Sequence, residues 1–416
     1  MKFSTIIYLI FLNLISISIF AQNNPPSSED LFNQARKLAF DDKNYVKAIA
    51  LTKEALKQSP DYADIRIFLG RLYTWTDKPD SARTEFKKVL EKNQGYEDIY
   101  LAYGSLEYWN DNPEEASRIV SEGLKYNDKS EDLLLLSVKI NRELRKFDEA
   151  GITLNRLLKL NPNLTEARAL ANSAGNIGSK NRIGITYDYV HFDKQFDDPW
   201  HLGSITYSRE TGIGSLSTRV NFGNRFRTNG TQFELDFYPR ISNTFYAYVS
   251  GGYSGDVGVF PEYRTGFSLY ANLPSAFEAE AGFRMLSFGD PTWIYTGSLG
   301  KYYKNFWFNL RTFITPSNNS VSQSVAFNTR YYFGGAEDYF SFSIGSGLSP
   351  DNPINNLLYN NGNTYKLKSR NISVGYRTSI KTSNILFFKA SLENQEYIQN
   401  TKGNQVELGI GYIKQF

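Results

Sequence analysis

The stretch Gln232-Phe233-Glu234-Leu235-Asp236-Phe237 switches between a polar and an apolar side chain at every step. In an extended strand successive side chains point to opposite faces, so this segment has an oily face (Phe233, Leu235, Phe237) and a hydrophilic one (Gln232, Glu234, Asp236). A helix of the same residues would scatter both classes around its circumference. The alternation recurs along the second half of the chain. Phe277, Ala279, Ala281 and Phe283 oppose Glu278, Glu280 and Arg284. Val325, Phe327, Thr329 and Tyr331 oppose Asn328 and Arg330, and the final segment sets Val406, Leu408, Ile410, Tyr412 and Phe416 against Glu407, Gly409 and Gly411. Arg219, Arg264, Arg311 and Arg377 fall on the polar faces of their segments. A charge on a lipid-facing position near the membrane midplane costs about 2–4 kcal/mol. A soluble sandwich has no reason to gather so many charges of both signs on one common interior. The pattern predicts an antiparallel transmembrane β-barrel.

Working outward, about fourteen such strands fit between residues 182 and 416, with twelve as the alternative. Tight connections are expected at Thr211-Gly212-Ile213, Ser242-Asn243, Leu273-Pro274-Ser275, Lys304-Asn305, Gly334-Gly335 and Lys381-Thr382-Ser383. Longer ones are expected at 193–199, 226–230, 255–261, 288–291, 316–321, 348–368 and 395–403. Short turns on one side and longer loops on the other match bacterial outer-membrane barrels, and an even strand count returns both ends to the periplasm. Lys414 interrupts the lipid-facing row of the last strand, where a lysine at the rim snorkels into the headgroups.

Composition divides the chain at the same place. Residues 22–175 hold 25 acidic, 23 basic and 15 aromatic residues; residues 176–416 hold 18 acidic, 22 basic and 45 aromatic ones. Charge thins while aromatics multiply, as expected when polar surface gives way to a lipid-facing one. The formal net charge of +3 excludes nucleic acid as an expected partner.

The first half is built on a different period. Ala48, Ala82, Ala116 and Ala150 are 34 residues apart, and Leu56, Leu90, Leu124 and Leu158 run in step with them. The second unit adds Leu69-Gly70, Tyr73 and Phe86, the third Gly104, and Pro60 and Pro162 end the first and fourth. This resembles the tetratricopeptide repeat (TPR), one antiparallel helix pair per unit of about 34 residues. About four repeats are expected, with helices at 28–41/44–58, 61–75/79–92, 95–109/113–126 and 129–144/147–160 and a capping helix near 163–174. Such repeats stack into a groove that binds a partner. Trp75 and Trp109, also 34 apart, close the first helices of their units. Two readings stay open for them: stacking on a sugar or peptide ligand, or packing between neighbouring repeats.

Met1-Lys2 precedes an apolar run from about Ile6 to Phe20 that ends at Ala21. The run is shorter than the roughly 20 residues that cross a bilayer, so it reads as a secretory signal. The expected division is a signal peptide at 1–21, a disordered linker at 22–27, a periplasmic TPR solenoid at 28–175, a linker at 176–181 and an outer-membrane β-barrel at 182–416. The chain has no cysteine, which excludes a disulfide framework.

Catalytic chemistry is not in evidence. His191 and His201 are the two histidines, beside Asp193, Asp197 and Asp198, and a solvated loop explains that grouping better than a metal or hydrolase centre. No HExxH spacing, serine-nucleophile elbow or GxxxxGK phosphate loop occurs, so no cofactor, metal or catalytic residue is expected.

Several linked strings complete the reading: Asp198-Pro199-Trp200-His201-Leu202, Gly214 through Phe226, Tyr238-Pro239-Arg240-Ile241 and Tyr246-Ala247-Tyr248. Phe260-Pro261-Glu262-Tyr263-Arg264, Tyr295 through Tyr303 and Thr315-Pro316 continue them. Over about residues 182–416 they resemble the YaiO-type family of outer-membrane β-barrel proteins. The resemblance implies an outer-membrane location and no enzyme activity of known type. Periplasmic repeats ahead of a barrel are also similar in architecture to exopolysaccharide export proteins. The expectation is therefore an export or transport component, its repeats binding a periplasmic protein or polysaccharide and its barrel serving as outlet. The alternative is an outer-membrane anchored scaffold whose TPR groove docks envelope proteins. Expected lumen-lining residues are Arg219, Glu234, Asp236, Arg264, Glu280, Arg284, Arg311, Arg330, Arg377 and Glu407. Expected partners are outer-membrane lipid and, through the aromatic-ended last strand at Phe416, the barrel-insertion machinery.

Overall fold

The computed structural model describes residues 25–173, 180–242, 244–317, 320–351, 368–380, 383–398 and 400–416. The expected signal peptide at 1–21, half of the expected linker at 22–27, most of that at 176–181, Asn243, residues 318–319, 381–382 and 399, and most of the expected connection at 348–368 lie outside the described residues. The fold class is the expected one: helical repeats followed by a closed fourteen-stranded antiparallel barrel. The chain forms two compact units, Met1–Asp128 and Lys129–Phe416.

The first unit holds α1 (Ser28–Phe40), α2 (Tyr45–Gln58), α3 (Ala63–Trp75), α4 (Pro79–Leu90), α5 (Glu97–Trp109) and α6 (Pro113–Tyr126). Ser27 opens α1 through a capping box with Asp30, and Pro79 and Pro113 start α4 and α6, where a missing N–H costs nothing. Ala48, Ala82 and Ala116 are fully buried where paired helices meet. Gly70 faces the Phe86 ring so closely that a Cβ there would sit 2.7 Å from its Cδ1. The ladder of leucines is less uniform, since Leu56 is buried and Leu90 and Leu124 are half-buried. One regularity was invisible in the residue types: Lys43, Asp77, Asp111 and Arg145, again 34 apart, each hold a left-handed backbone at the turn inside a helix pair. Glu107, buried, accepts from Arg83 Nε at 2.7 Å and Asn112 Nδ2 at 3.0 Å.

The second unit begins with α7 (Glu131–Glu143), α8 (Phe147–Leu160) and α9 (Thr165–Ser173) and continues into the barrel. Its strands are β1 (Asn181–Phe192), β2 (Trp200–Thr211), β3 (Gly214–Arg225), β4 (Thr228–Pro239), β5 (Phe245–Tyr253), β6 (Tyr263–Leu273) and β7 (Phe277–Ser287). They continue with β8 (Pro291–Tyr303), β9 (Phe306–Ser317), β10 (Ser320–Tyr332), β11 (Tyr339–Ser346), β12 (Ser369–Ile380), β13 (Asn384–Ile398) and β14 (Thr401–Gln415). Each pairs with its sequence neighbours, and β1 closes on β14 from Arg182↔Gln415 to Phe192↔Gln405. Asn181 and Phe416 exchange backbone hydrogen bonds of 3.0 Å in both directions, so both barrel ends meet at one rim.

Burial follows the period of two. Phe233 is 61% exposed and Leu235 49%, while Gln232 is 1%, Glu234 7% and Asp236 6% exposed. Large apolar side chains on the outside of a closed barrel are stable only against hydrocarbon. Among the described residues no helix is long and apolar enough to cross a membrane.

Some expected loops are strand instead. Residues 226–230 contain only a two-residue turn, with Phe226 and Arg227 both at positive φ, the hairpin geometry whose twist suits the strands. Likewise β13 and β14 run through most of 395–403, pairing Gln395↔Gly403 and Glu396↔Lys402. In both places the strands are polar on both faces, so the alternation vanishes while the pairing continues. Asn224–Asn229 (2.6 Å) and Asn394–Asn404 (2.8 Å) amide bonds hold these extensions together.

Candidate functional site: the charged lumen

The inward faces carry ion pairs between adjacent and next-adjacent strands. Arg219 on β3 faces Glu234 on β4 in register and donates to it at 2.8 Å and to Asp236 at 3.2 Å. Three further pairs reach across an intervening strand. Glu234 and Arg264 flank Gly252 at the same level, with Arg264 Nη1 2.7 Å from Glu234 Oε1. Glu280 and Arg311 flank Ser298, with Arg311 Nη2 2.6 Å from Glu280 Oε2. Asp188 and Lys389 flank Gly409, with Nζ 3.0 Å from Asp188 and also paired to Glu407. The small central residue is what lets the charges meet. A Cβ on Gly252 would lie 2.8 Å from Arg264 Cγ and 3.1 Å from Glu234 Cγ, and one on Gly409 would lie 2.7 Å from Lys389 Cγ.

The other arginines of the expected set are paired or packed on rings. Arg284 is 3.6 Å from Glu280, donates to Ser268 Oγ at 2.9 Å and pairs with Asp351 at 3.0 Å, which Arg311 also reaches at 3.1 Å. Arg377 and Arg182 share Glu337, at 2.6 and 3.0 Å. The Arg330 guanidinium lies 4.6 Å from the Trp307 ring centre and 4.9 Å from that of Tyr339.

Between β1–β3 and β12–β14 lies a cavity of about 450 Å³. Arg182, Asp188, Arg219, Arg377, Lys389 and Glu407 line it with Ser204, Thr206, Ser208 and Asn221, and Leu202 and Phe260 border it. The latter two belong to an apolar cluster with Val190, Phe192, Trp200 and Val259 at the rim remote from Asn181, and Arg225 lies against Trp200 and Phe260. The adjoining β4–β6 wall is aromatic: Tyr246 and Tyr270 stack at 4.6 Å, and Tyr238 and Tyr248 stand 5.1 Å apart.

At the rim shared by Asn181 and Phe416, α9 packs on the barrel turns. Arg168, 1% exposed, donates to the carbonyls of Gly335 (2.9 Å) and Gly334 (2.5 Å) and lies 4.4 Å from the Tyr332 ring centre. Burial lowers its guanidinium to about 10, so it stays charged at neutral pH. Lys304 N–H donates to Thr165 Oγ1 at 2.8 Å, and Arg240 stacks 4.0 Å from the Phe147 ring of α8.

Sequence reasoning passed over Asp188, Arg182, Lys389, Glu337 and Asp351. Asp188 and Lys389 sit at polar positions of alternating strands and were legible in principle; Glu337 and Asp351 come from connections and were not. His191 and His201 are exposed, and His201 Nδ1 is 2.7 Å from the Tyr187 hydroxyl. Among the described residues no group of three or more histidines and carboxylates is placed to hold a metal. Asp193 instead anchors the end of β14, accepting from Asn404 N at 2.7 Å, which with the Asn404 amide keeps its carboxyl below the usual range. Trp75 joins a ring cluster with Phe40, Tyr45 and Phe68, whereas Trp109 is 63% exposed.

Residues 180–352 match the model of the YaiO membrane beta barrel domain, and residues 39–106 match that of the tetratricopeptide repeat. No curated protein matches the chain. Its helical part is similar to solved repeat proteins. The MamA protein aligns at 18% identity over 35% of this chain and 80% of its own, with a TM-score of 0.32. A tetratricopeptide repeat protein from Parabacteroides merdae aligns at 18% over 35% of this chain and 59% of its own, with a TM-score of 0.32. A thermophilic TPR protein from Thermus thermophilus aligns at 19% over 35% of this chain and 80% of its own, with a TM-score of 0.31.

Proposed function

We propose that this chain, a YaiO-type membrane barrel carrying tetratricopeptide repeats, is an envelope export component. The repeats hold a partner or emerging polymer in the periplasm and the barrel is its outlet across the outer membrane. The observation that carries this reading is the polar cavity between β1–β3 and β12–β14. Eight strands enclose an interior that side chains just fill, and sixteen or more leave an aqueous channel. Fourteen strands fall between these, and the polar space they leave here is the cavity of about 450 Å³, with Asp351 among its lining residues. Of the expected lumen residues Arg219, Arg377 and Glu407 border this cavity; Glu234, Asp236, Arg264, Glu280, Arg284, Arg311 and Arg330 are proposed to line the rest of the route, and Trp109 is the exposed candidate contact on the repeats. What supports a periplasmic placement is the even strand count, which puts both barrel ends, with α9 against them, at one rim.

The scaffold reading draws on the apolar cluster around Trp200 and Phe260, which fills one sector of the far rim. Planar-bilayer recording of the full chain separates the two. Discrete conductance steps support an outlet. A barrel that stays closed at every voltage, while crosslinking recovers a stable envelope protein on the repeats, supports the scaffold and removes the export role.

A further inference from the structure

We propose that the β4–β6 wall of the lumen is a binding platform for a neutral saccharide chain. Sugar rings present two surfaces, a patch of C–H groups that packs on aromatic faces and a rim of hydroxyls that donates to carboxylates. The platform offers both. Tyr246 and Tyr270 stack with an interplanar angle of 4° at 4.6 Å, and Tyr238 and Tyr248 stand beside them with rings 5.1 Å apart. These side chains are reachable from the lumen, Tyr238 being 39% exposed. Their orientation is fixed, because Tyr246 donates to Glu278 at 3.0 Å and Tyr248 to Asp236 at 3.2 Å. Stacked this way, Tyr246 and Tyr270 cover one face of each other, so a sugar ring would pack on the outer side of the pair with its hydroxyls turned towards the polar wall. On the adjoining β2–β3 wall Ser204, Thr206, Ser208 and Asn221 supply neutral hydrogen-bonding groups.

Charge selects the class of saccharide. Arg219, Arg264, Arg284, Arg311 and Lys389 each already lie within hydrogen-bonding distance of a carboxylate. An anionic polymer would have to break such pairs, whereas a neutral one leaves them in place. This inference rests on the export reading for its polymer and deepens it by naming the chemistry, yet the platform stands whether or not the barrel conducts.

The test is calorimetric titration of the detergent-purified full chain with maltohexaose, cellohexaose and N-acetylchitohexaose, with oligogalacturonate as the anionic comparator. At least one neutral oligomer is expected to bind, Tyr270→Ala to weaken it about tenfold, and Tyr270→Phe to keep it within about twofold. Tyr248→Ala provides a second probe, and the heat-dependent shift in gel mobility of a folded barrel verifies each variant. Failure of all three neutral oligomers to bind overturns the proposal, as does unchanged affinity in both alanine variants or tighter binding of the anionic comparator. Binding without conductance sinks the export role and leaves the platform; conductance without binding does the reverse.

Discussion

Replacing Gly252 by alanine tests whether the small residues between paired charges are structural necessities. The added methyl would lie 2.8 Å from Arg264 Cγ, 3.1 Å from Glu234 Cγ and 3.1 Å from the Phe233 carbonyl, all below ordinary contact. Forcing a methylene into a packed site costs typically 1–3 kcal/mol. Pushing Arg264 away also strains its 2.7 Å bond to Glu234, whose side chain is 3% exposed. That second loss is partial, because Arg219 still reaches Glu234 at 2.8 Å. The expected destabilisation is about 2 kcal/mol. Gly251 is the internal control: it faces lipid, and a Cβ there would meet nothing within 4 Å. Gly251→Ala loses only backbone freedom in the unfolded chain, so it stays within about 0.5 kcal/mol of the parent or gains slightly. Urea unfolding of both variants in lipid vesicles, followed by tryptophan fluorescence and gel mobility, measures the difference. If Gly252→Ala is no less stable than Gly251→Ala, the account of how these charges meet is wrong.

Lys389→Met leaves Asp188 and Glu407 without the cation they share, so channel recordings should shift towards cation selectivity; unchanged reversal potentials would refute it. Arg168→Ala removes the donor to two carbonyls of the β10–β11 turn, weakening α9 docking by about 2 kcal/mol, seen as faster amide exchange confined to α9. On the repeats, the hydrogen bond to Asp64 pushes the Tyr96 hydroxyl up to about 12. A raised value means its contribution is intact below about pH 10, the unfolded tyrosine range, and is lost as pH climbs through the folded value. Tyrosinate absorbance of Asp64→Asn should therefore show one extra group titrating near the ordinary range.

The barrel was legible because lipid outside and charge inside impose one rule on every residue of a strand. Where that rule stops, so did the reading: Asn229 and Gly230 beyond β3, and Gln395 and Glu396 along β13, pair as strand but carry polar groups on both faces. The helical period was visible in Ala48, Ala82, Ala116 and Ala150, but the left-handed turn at Lys43, Asp77, Asp111 and Arg145 was not, since none is glycine. The polar faces predicted inward arginines and carboxylates. They could not reveal the acid–small–base triples, because these depend on register between three strands, and register is not written in any one of them. The tyrosine wall was hidden for the same reason: Tyr246 and Tyr270 meet only once β5 and β6 pair.

The chain has no cysteine, so single substitutions from Gln232→Cys to Phe237→Cys report one site at a time. Labelling in lipid vesicles with a membrane-impermeant maleimide and with a lipid-phase maleimide reads the two faces of β4 directly. Positions 233, 235 and 237 should react with the lipid-phase reagent, whereas 232, 234 and 236, buried on the inward face, should be shielded from it. Uniform reactivity along the strand, or water-phase labelling of the odd positions, would contradict a membrane barrel.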